Sequence, residues 1–168
     1  MRRAVMIVAH KDFRDEEFLQ PKEMLEAEGI EVSVASSDLS EASGKFGARV
    51  KPGLLVKDIK AGDFSAIIFV GGAGASEYWD DPHAQKVARE AALDGKVLAA
   101  ICIAPVILAR AGVLKGRRAT VWPSEAGELK SAGADYSVKN VERDGNIITA
   151  SGPTAAREFA AEIARALL

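Results

Sequence analysis

Residues 95–112 read Gly95-Lys-Val-Leu-Ala-Ala-Ile-Cys102-Ile-Ala-Pro-Val-Ile-Leu-Ala-Arg-Ala-Gly112, and they place the only cysteine of the chain where an apolar strand run ends and an apolar helix begins. Residues 97–101 have the unbroken apolar character of a strand buried on both faces, and 104–111 that of a helix, so no loop is left between them. Cys102 therefore falls on a tight strand-to-helix turn. Ala100 and Ala104 flank it at both second-neighbour positions, and a turn this sharp needs small residues there because the chain folds back on itself. The helix beyond offers free backbone N–H groups and the positive end of its dipole, so a lowered thiol pKa is expected. An unpaired cysteine more commonly just fills core space; the elbow position is what marks this one for chemistry.

Working outward, apolar runs recur at 5–9, 32–35, 67–70, 119–122 and 147–150, alternating with helical stretches. That is the pattern of βαβ units. The predicted fold is α/β, a three-layer α/β/α sandwich around a mostly parallel sheet. Helix punctuation agrees. Asp81-Pro82 supplies an N-cap and a first-turn proline for a helix closed by Asp94-Gly95, and Gly29 ends a helix over 16–28. Thr154 is the expected cap of a last helix with Phe159, Ile163, Ala166 and Leu167 on one stripe. Residues 36–62, with Gly44, Gly47, Pro52 and Gly53 among short apolar pieces, read as a small hairpin excursion.

A length of 168 residues with 48% hydrophobic content suits one domain over 1–168. Lys and Arg total 22 against 24 Asp and Glu, spread without runs, so no nucleic-acid stripe or membrane-binding patch is expected. The apolar run after Arg2-Arg3 is too short for a signal-peptide core or a membrane span. A lone cysteine forms no intramolecular disulfide, and a cytoplasmic location is expected. Two histidines and one cysteine without ligand spacing give no basis for a metal site, and no organic cofactor is expected.

In open parallel sheets ligands bind outside the carboxyl ends of the strands. The residues following those ends are His10-Lys11-Asp12-Phe13 with the acids Asp15-Glu16-Glu17, then Gly71-Gly72-Ala73-Gly74, Cys102, Trp122-Pro123 and Ser151-Gly152-Pro153. Gly71-Gly72 lets the backbone turn and present N–H groups, which with the N–H of Ile103 could form a hole for a developing oxyanion. A dinucleotide fingerprint starting at Gly72-Ala-Gly74 is the rival reading, but Glu77 stands where its third glycine belongs. A carboxyl of the first helix could point at Cys102. His10 ends a strand at this edge and is a candidate pocket residue with Gly71, Trp122 and Ser151; His83 follows an N-cap and reads as surface. Trp122, Tyr78 and Trp79 would form an aromatic rim around a small, partly apolar substrate.

Together the segments Ala99-Ala-Ile-Cys-Ile-Ala-Pro105, Ala111-Gly-Val-Leu-Lys-Gly116, Phe69-Val-Gly-Gly72, Glu17 four residues before Pro21, and Thr149-Ala-Ser-Gly-Pro153 with Glu158-Phe-Ala160 resemble the ThiJ/PfpI superfamily. That superfamily includes archaeal intracellular proteases and a parkinsonism-associated deglycase. The resemblance spans nearly the whole chain. It implies a flavodoxin-like, class I glutamine amidotransferase-like domain, a homodimer or larger homo-oligomer, and a reactive Cys102 beside a protonated Glu17. It also implies an oxyanion hole from the backbone of Gly72 and Ile103. Protease-like members carry His where this chain has Ile103, which counts against peptidase action. Glyoxalase and deglycase members carry His where Trp122 stands, and isocyanide hydratases use Asp where Glu17 stands. The expected function is a cysteine-dependent hydrolase or lyase, deglycase- or glyoxalase-like, acting on a small carbonyl or acyl compound. A non-catalytic thiol redox sensor in oxidative stress, or a chaperone, is the alternative.

Overall fold

The computed structural model describes residues 2–168. Its central sheet holds seven strands: β1 Arg3–Ile7, β2 Glu31–Ser36, β3 Leu54–Leu55, β4 Ala66–Phe69, β5 Val97–Ile101, β6 Val141–Asp144 and β7 Ile147–Ala150. Their spatial order is β6-β7-β5-β4-β1-β2-β3, and every pair is parallel except the hairpin of β6 with β7. Five helices cover it: α1 Asp15–Ala27, α2 Pro82–Leu93, α3 Pro105–Arg110, α4 Ala126–Ser131 and α5 Ala156–Leu167.

The strand period of two divides the apolar residues between the faces. Val5, Ile7, Ile67, Phe69, Leu98 and Ala100 pack with α2, α3 and α4; Ala4, Met6, Ala66, Ile68, Val97, Ala99 and Ile101 pack with α1 and α5. This is the three-layer sandwich the alternating runs predict. Among the described residues no helix is long and apolar enough to cross a membrane.

The register brings the strand ends together. Ile7 lies opposite Phe69, Phe69 opposite Ala100, and Ala150 opposite Ile101. The turns after β1, β4, β5 and β7 therefore open side by side at one edge, where open parallel sheets bind ligands.

Three expectations are corrected. The run at 119–122 is not a strand of the central sheet: only Arg118–Ala119 is extended in a ladder, paired with Asp135–Tyr136. The place beside β7 is taken by β6, and the Thr149 hydroxyl accepts the Thr120 N–H at 2.9 Å. Thr154 does not cap the last helix. It lies within a 3-10 turn, Pro153–Ala155, and α5 begins at Ala156 without a side-chain cap. The helix expected over 104–111 is shorter, Pro105–Arg110, because residues 102–104 are spent on the turn itself. Asp81 does cap α2, accepting the N–H groups of His83 and Ala84, and Gly29 at φ +79° follows the end of α1. The excursion over 36–62 contains the expected hairpin, Ala42–Gly44 antiparallel to Arg49–Val50, with Lys11–Phe13 added alongside.

Candidate active site

Cys102 occupies the turn between β5 and α3 at φ +63°, a left-handed conformation uncommon for a residue with a Cβ. Such strain, of order 1–3 kcal/mol, persists only where the surroundings enforce it. Here the enforcement is a pair of backbone hydrogen bonds: the Cys102 N–H donates to the Ala150 carbonyl (2.9 Å) and the Cys102 carbonyl accepts from the Trp122 N–H (2.8 Å). The residue is 9% exposed.

The N–H groups of Gly72 and Ile103 both address the sulfur and favour its anion. Gly72 can do so because it sits at φ +100°, and a Cβ there would come within 2.3 Å of the Arg14 nitrogen and 2.7 Å of the Asp12 carbonyl oxygen. Gly71 lies beneath the thiol, not in the open pocket. A Cβ on it would be 2.4 Å from Glu17 Oε1 and 2.6 Å from the Cys102 Cβ, so the missing side chain is the gap through which carboxyl and thiol meet.

Arg14 and the three acids that open α1 divide three tasks among them. Arg14 precedes the helix and donates through Nε and Nη2 to Glu16 Oε2, at 3.0 and 2.9 Å. Asp15, buried, accepts the N–H groups of Phe46 and Ala48 at 2.9 and 2.8 Å and so ties down the 42–50 hairpin. Glu16 holds Arg14. Glu17, fully buried, turns toward the elbow, with the Cys102 thiol and the Gly71 backbone close by but neither oxygen closing a hydrogen bond of good geometry. Burial raises its pKa from 4.5 to about 8, against the pull of Arg14, so Glu17 is protonated at neutral pH.

The thiol corrects an expectation. Instead of being lowered by the helix end, its pKa is pushed up by burial and by the neighbouring Glu17 charge, to about 12 with Glu17 ionised; the Gly72 and Ile103 N–H groups pull the other way. A helix dipole helps an exposed terminal thiol, whereas this one has lost most of its water. The two groups titrate as a pair, with one anion shared between them before a second can form.

Above Cys102 opens a cleft of about 260 Å³ lined by Asp12, Arg14, Lys45, Gly72, Ala73, Cys102, Ile103, Trp122 and Pro153. Trp122, 44% exposed, stands at its mouth, its ring 3.0 Å from where a Cβ on Gly152 would sit. The structure thus brings Cys102, Glu17, Gly71, Gly72, Ile103 and Trp122 together. It does not bring in His10, whose backbone N–H donates to Glu77 and which lines a different depression with Lys11, Asp38 and Gly74. Ser151 is half-buried, donates its N–H to the Asn140 carbonyl, and lies outside the cleft lining, which Pro153 reaches instead. The expected aromatic rim reduces to Trp122. Tyr78 is buried with its hydroxyl on the Val8 carbonyl (2.7 Å), and Trp79 donates to the Ile103 carbonyl (3.2 Å). Asp12, among the residues following the strand ends, does line the cleft, but sequence reasoning missed Arg14 and Lys45 as cleft residues; the φ of +62° at Asp12 is the kind of feature no residue pattern announces.

The N–H groups that would hold an oxyanion would equally hold sulfinate oxygens, and no second cysteine can divert a sulfenic acid into a disulfide. Prolonged peroxide treatment is expected to add two oxygens, about 32 Da, to the peptide carrying Cys102. Peptide mass mapping separates this from oxidation at Met1, Met6 and Met24; a reduced Cys102 beside oxidised methionines would show a thiol closed to peroxide.

A sequence model of the DJ-1/PfpI family matches residues 2–166. An uncharacterized protein of Methanocaldococcus jannaschii is 41% identical over 168 residues, 98% of this chain and 82% of its own length. The deglycase PfpI of Pyrococcus furiosus is 32% identical over 149 residues, 89% of this chain and 90% of its own. Among solved structures, a ThiJ/PfpI domain protein from Brachyspira murdochii superposes with a TM-score of 0.96 at 31% identity, over 98% of this chain and 95% of that one.

Proposed function

Since the chain belongs to the DJ-1/PfpI family, we propose that it is a deglycase-like enzyme in which Cys102 attacks a small carbonyl or acyl compound, with Glu17 managing the proton. The observation that carries this reading is the meeting of a buried, protonatable carboxyl and a strained elbow thiol across Gly71, with two N–H groups aimed at the sulfur. The Pyrococcus furiosus relative bears the name of a deglycase, which agrees with it.

In the first step the sulfur electron pair forms an S–C bond to the carbonyl carbon, and the π pair of C=O moves onto oxygen. The thiol proton ends on that oxygen, giving a hemithioacetal. The Gly72 and Ile103 N–H groups stabilise the charge while it is on oxygen. Glu17, with a pKa raised to about 8, can carry a proton in either direction near neutral pH, which a carboxyl at its ordinary value could not. The 260 Å³ cleft is at or below the small end of ligand pockets, roughly 300–1,000 Å³, which favours a compact substrate. Peptide hydrolysis is not expected, because Ile103 offers no imidazole to protonate a leaving amine. The protein is proposed to work in the cytoplasm as a homodimer or larger homo-oligomer.

The test is a turnover screen of small aldehydes, glyoxals, glycated amines, amides and peptides with wild type and Cys102→Ser. A rate on a carbonyl or acyl compound that vanishes in Cys102→Ser is the expected result. No turnover of any of them, or turnover that survives the substitution, overturns the reading.

A further inference from the structure

The cleft over Cys102 is charged in a way the chemistry above does not use. Besides Asp12 it presents two cations, Arg14 and Lys45, contributed by the start of α1 and the tip of the 42–50 hairpin. Both stand over the same ring, Phe46: the Arg14 guanidinium carbon at 4.9 Å and Lys45 Nζ at 5.6 Å from its centroid. Asp15 fixes the hairpin that carries the ring, through the Phe46 and Ala48 N–H groups. Glu16 takes Nε and Nη2 of Arg14 on one oxygen. Among the described residues no protein group accepts a hydrogen bond from Arg14 Nη1 or from Lys45 Nζ. Two cations are therefore preorganised at the rim of a nucleophile's cleft with donor capacity left over.

We propose that Arg14 and Lys45 form an anion subsite beside Cys102, and that the substrate is a small carbonyl compound carrying a carboxylate close to its reacting carbon. The inference rests on Cys102 as the nucleophile of the proposed function, but not on turnover. A guanidinium edge and an ammonium suit a carboxylate; Phe46 carries both cations, Lys45 has no anionic partner among the described residues, and Arg14, though paired with Glu16, keeps its Nη1 edge. A cleft of 260 Å³ leaves a compact oxo acid its carbonyl over the sulfur and its carboxylate at the rim. Arg14 and Lys45 are binding residues in this scheme. They orient the electrophile and lower the cost of bringing an anion to a site that must itself develop negative charge.

Iodoacetate and iodoacetamide test this directly, because they differ only in the charge beside the reacting carbon. In both reactions the sulfur pair forms the bond to the CH2 carbon and iodide leaves with its electrons. The ratio of the two alkylation rates, taken at one pH, cancels any change in the thiolate fraction. At low salt the wild-type ratio is expected to exceed that of free cysteine by about tenfold, and Arg14→Gln with Lys45→Gln should return it to the free-cysteine value. Raising salt on wild type alone, from about 0.02 to about 0.5 M, should shrink the excess several-fold without affecting iodoacetamide. This arm survives a variant that fails to fold. A wild-type ratio no greater than that of free cysteine, or an excess that a folded double variant keeps, overturns the proposal. Absence of turnover in the substrate screen with the ratio intact would instead overturn the enzymatic reading and leave the anion subsite standing.

Discussion

Gly71→Ala is expected to disable Cys102 and to destabilise the protein by about 3 kcal/mol, the upper end of the usual cost of overpacking a well-packed interior. The added methyl would lie 2.4 Å from Glu17 Oε1, 2.5 Å from the Ile101 carbonyl oxygen and 2.6 Å from the Cys102 Cβ. Two of those three belong to the strand and elbow that the whole sheet edge holds in place. The third is a buried side chain with no open space to enter. For a chain of this length the shift in Tm is roughly 6–12 °C downward. Thermal unfolding checks the stability, and iodoacetamide alkylation of the folded protein checks the thiol. Gly127→Ala is the matched control, since nothing lies within 4 Å of its added Cβ and the residue is inside α4. There alanine is expected to stabilise by about 0.5–1 kcal/mol, through the lost freedom of the unfolded chain. If Gly71→Ala matches wild type in both measurements, the contact between Glu17 and Cys102 is not as close as described.

The elbow was legible because its determinants are local. An apolar strand run, Cys102, small residues at 100 and 104 and an apolar helix run are all contiguous, and the turn follows from having no residues left for a loop. The sheet core was legible for the same reason: β4 and β5 are unbroken apolar runs, β1 and β7 nearly so, and β2 alternates Val32 and Val34 with Glu31 and Ser33. What failed were the edges. The strand Val141–Asp144 contains Glu142, Arg143 and Asp144, so it carries no apolar signature, and it exists because its neighbour Ile147–Ala150 needs a partner. The run at 119–122 has the signature but loses the ladder to the Thr149 hydroxyl. Within the site, the division of labour among Asp15, Glu16 and Glu17 could not be read from composition. All three are first-turn acids, and which one turns inward depends on the hairpin that captures Asp15 and the arginine that captures Glu16. Resemblance to a family singled out Glu17; spacing alone left it one acid among three. Arg14 and Lys45 meet only through Phe46, from segments some thirty residues apart, and no local pattern joins them.

Glu17→Gln is expected to stabilise the protein at neutral pH while impairing its chemistry, and the two opposite effects together identify a carboxyl kept for function. The folded state holds the Glu17 pKa at about 8, above the 4.5 it has when exposed. Between those values the native state binds more protons than the unfolded one, so stability falls as pH rises. The favourable contribution is complete below pH 4.5, declines through the interval and is fully lost above about 8. By pH 7 the loss amounts to about 3 kcal/mol, given 1.36 kcal/mol for each pH unit traversed. Glutamine has nearly the same volume and cannot ionise, so it meets the same burial without the charge. Urea unfolding at a series of pH values should therefore show Glu17→Gln equal to wild type near pH 4.5 and more stable by about 3 kcal/mol at pH 7, with a flatter profile between. Turnover should fall by about 10²- to 10⁴-fold, because the amide cannot pass a proton between sulfur and oxygen. Parallel stability profiles for the two proteins would mean that Glu17 is ionised and satisfied in the native state, and its pairing with Cys102 would have to be abandoned. Stability given up between pH 4.5 and 8 to bury one acid against the only thiol, together with the loss of turnover, is the outcome expected of an acid kept for the proposed reaction rather than for the fold.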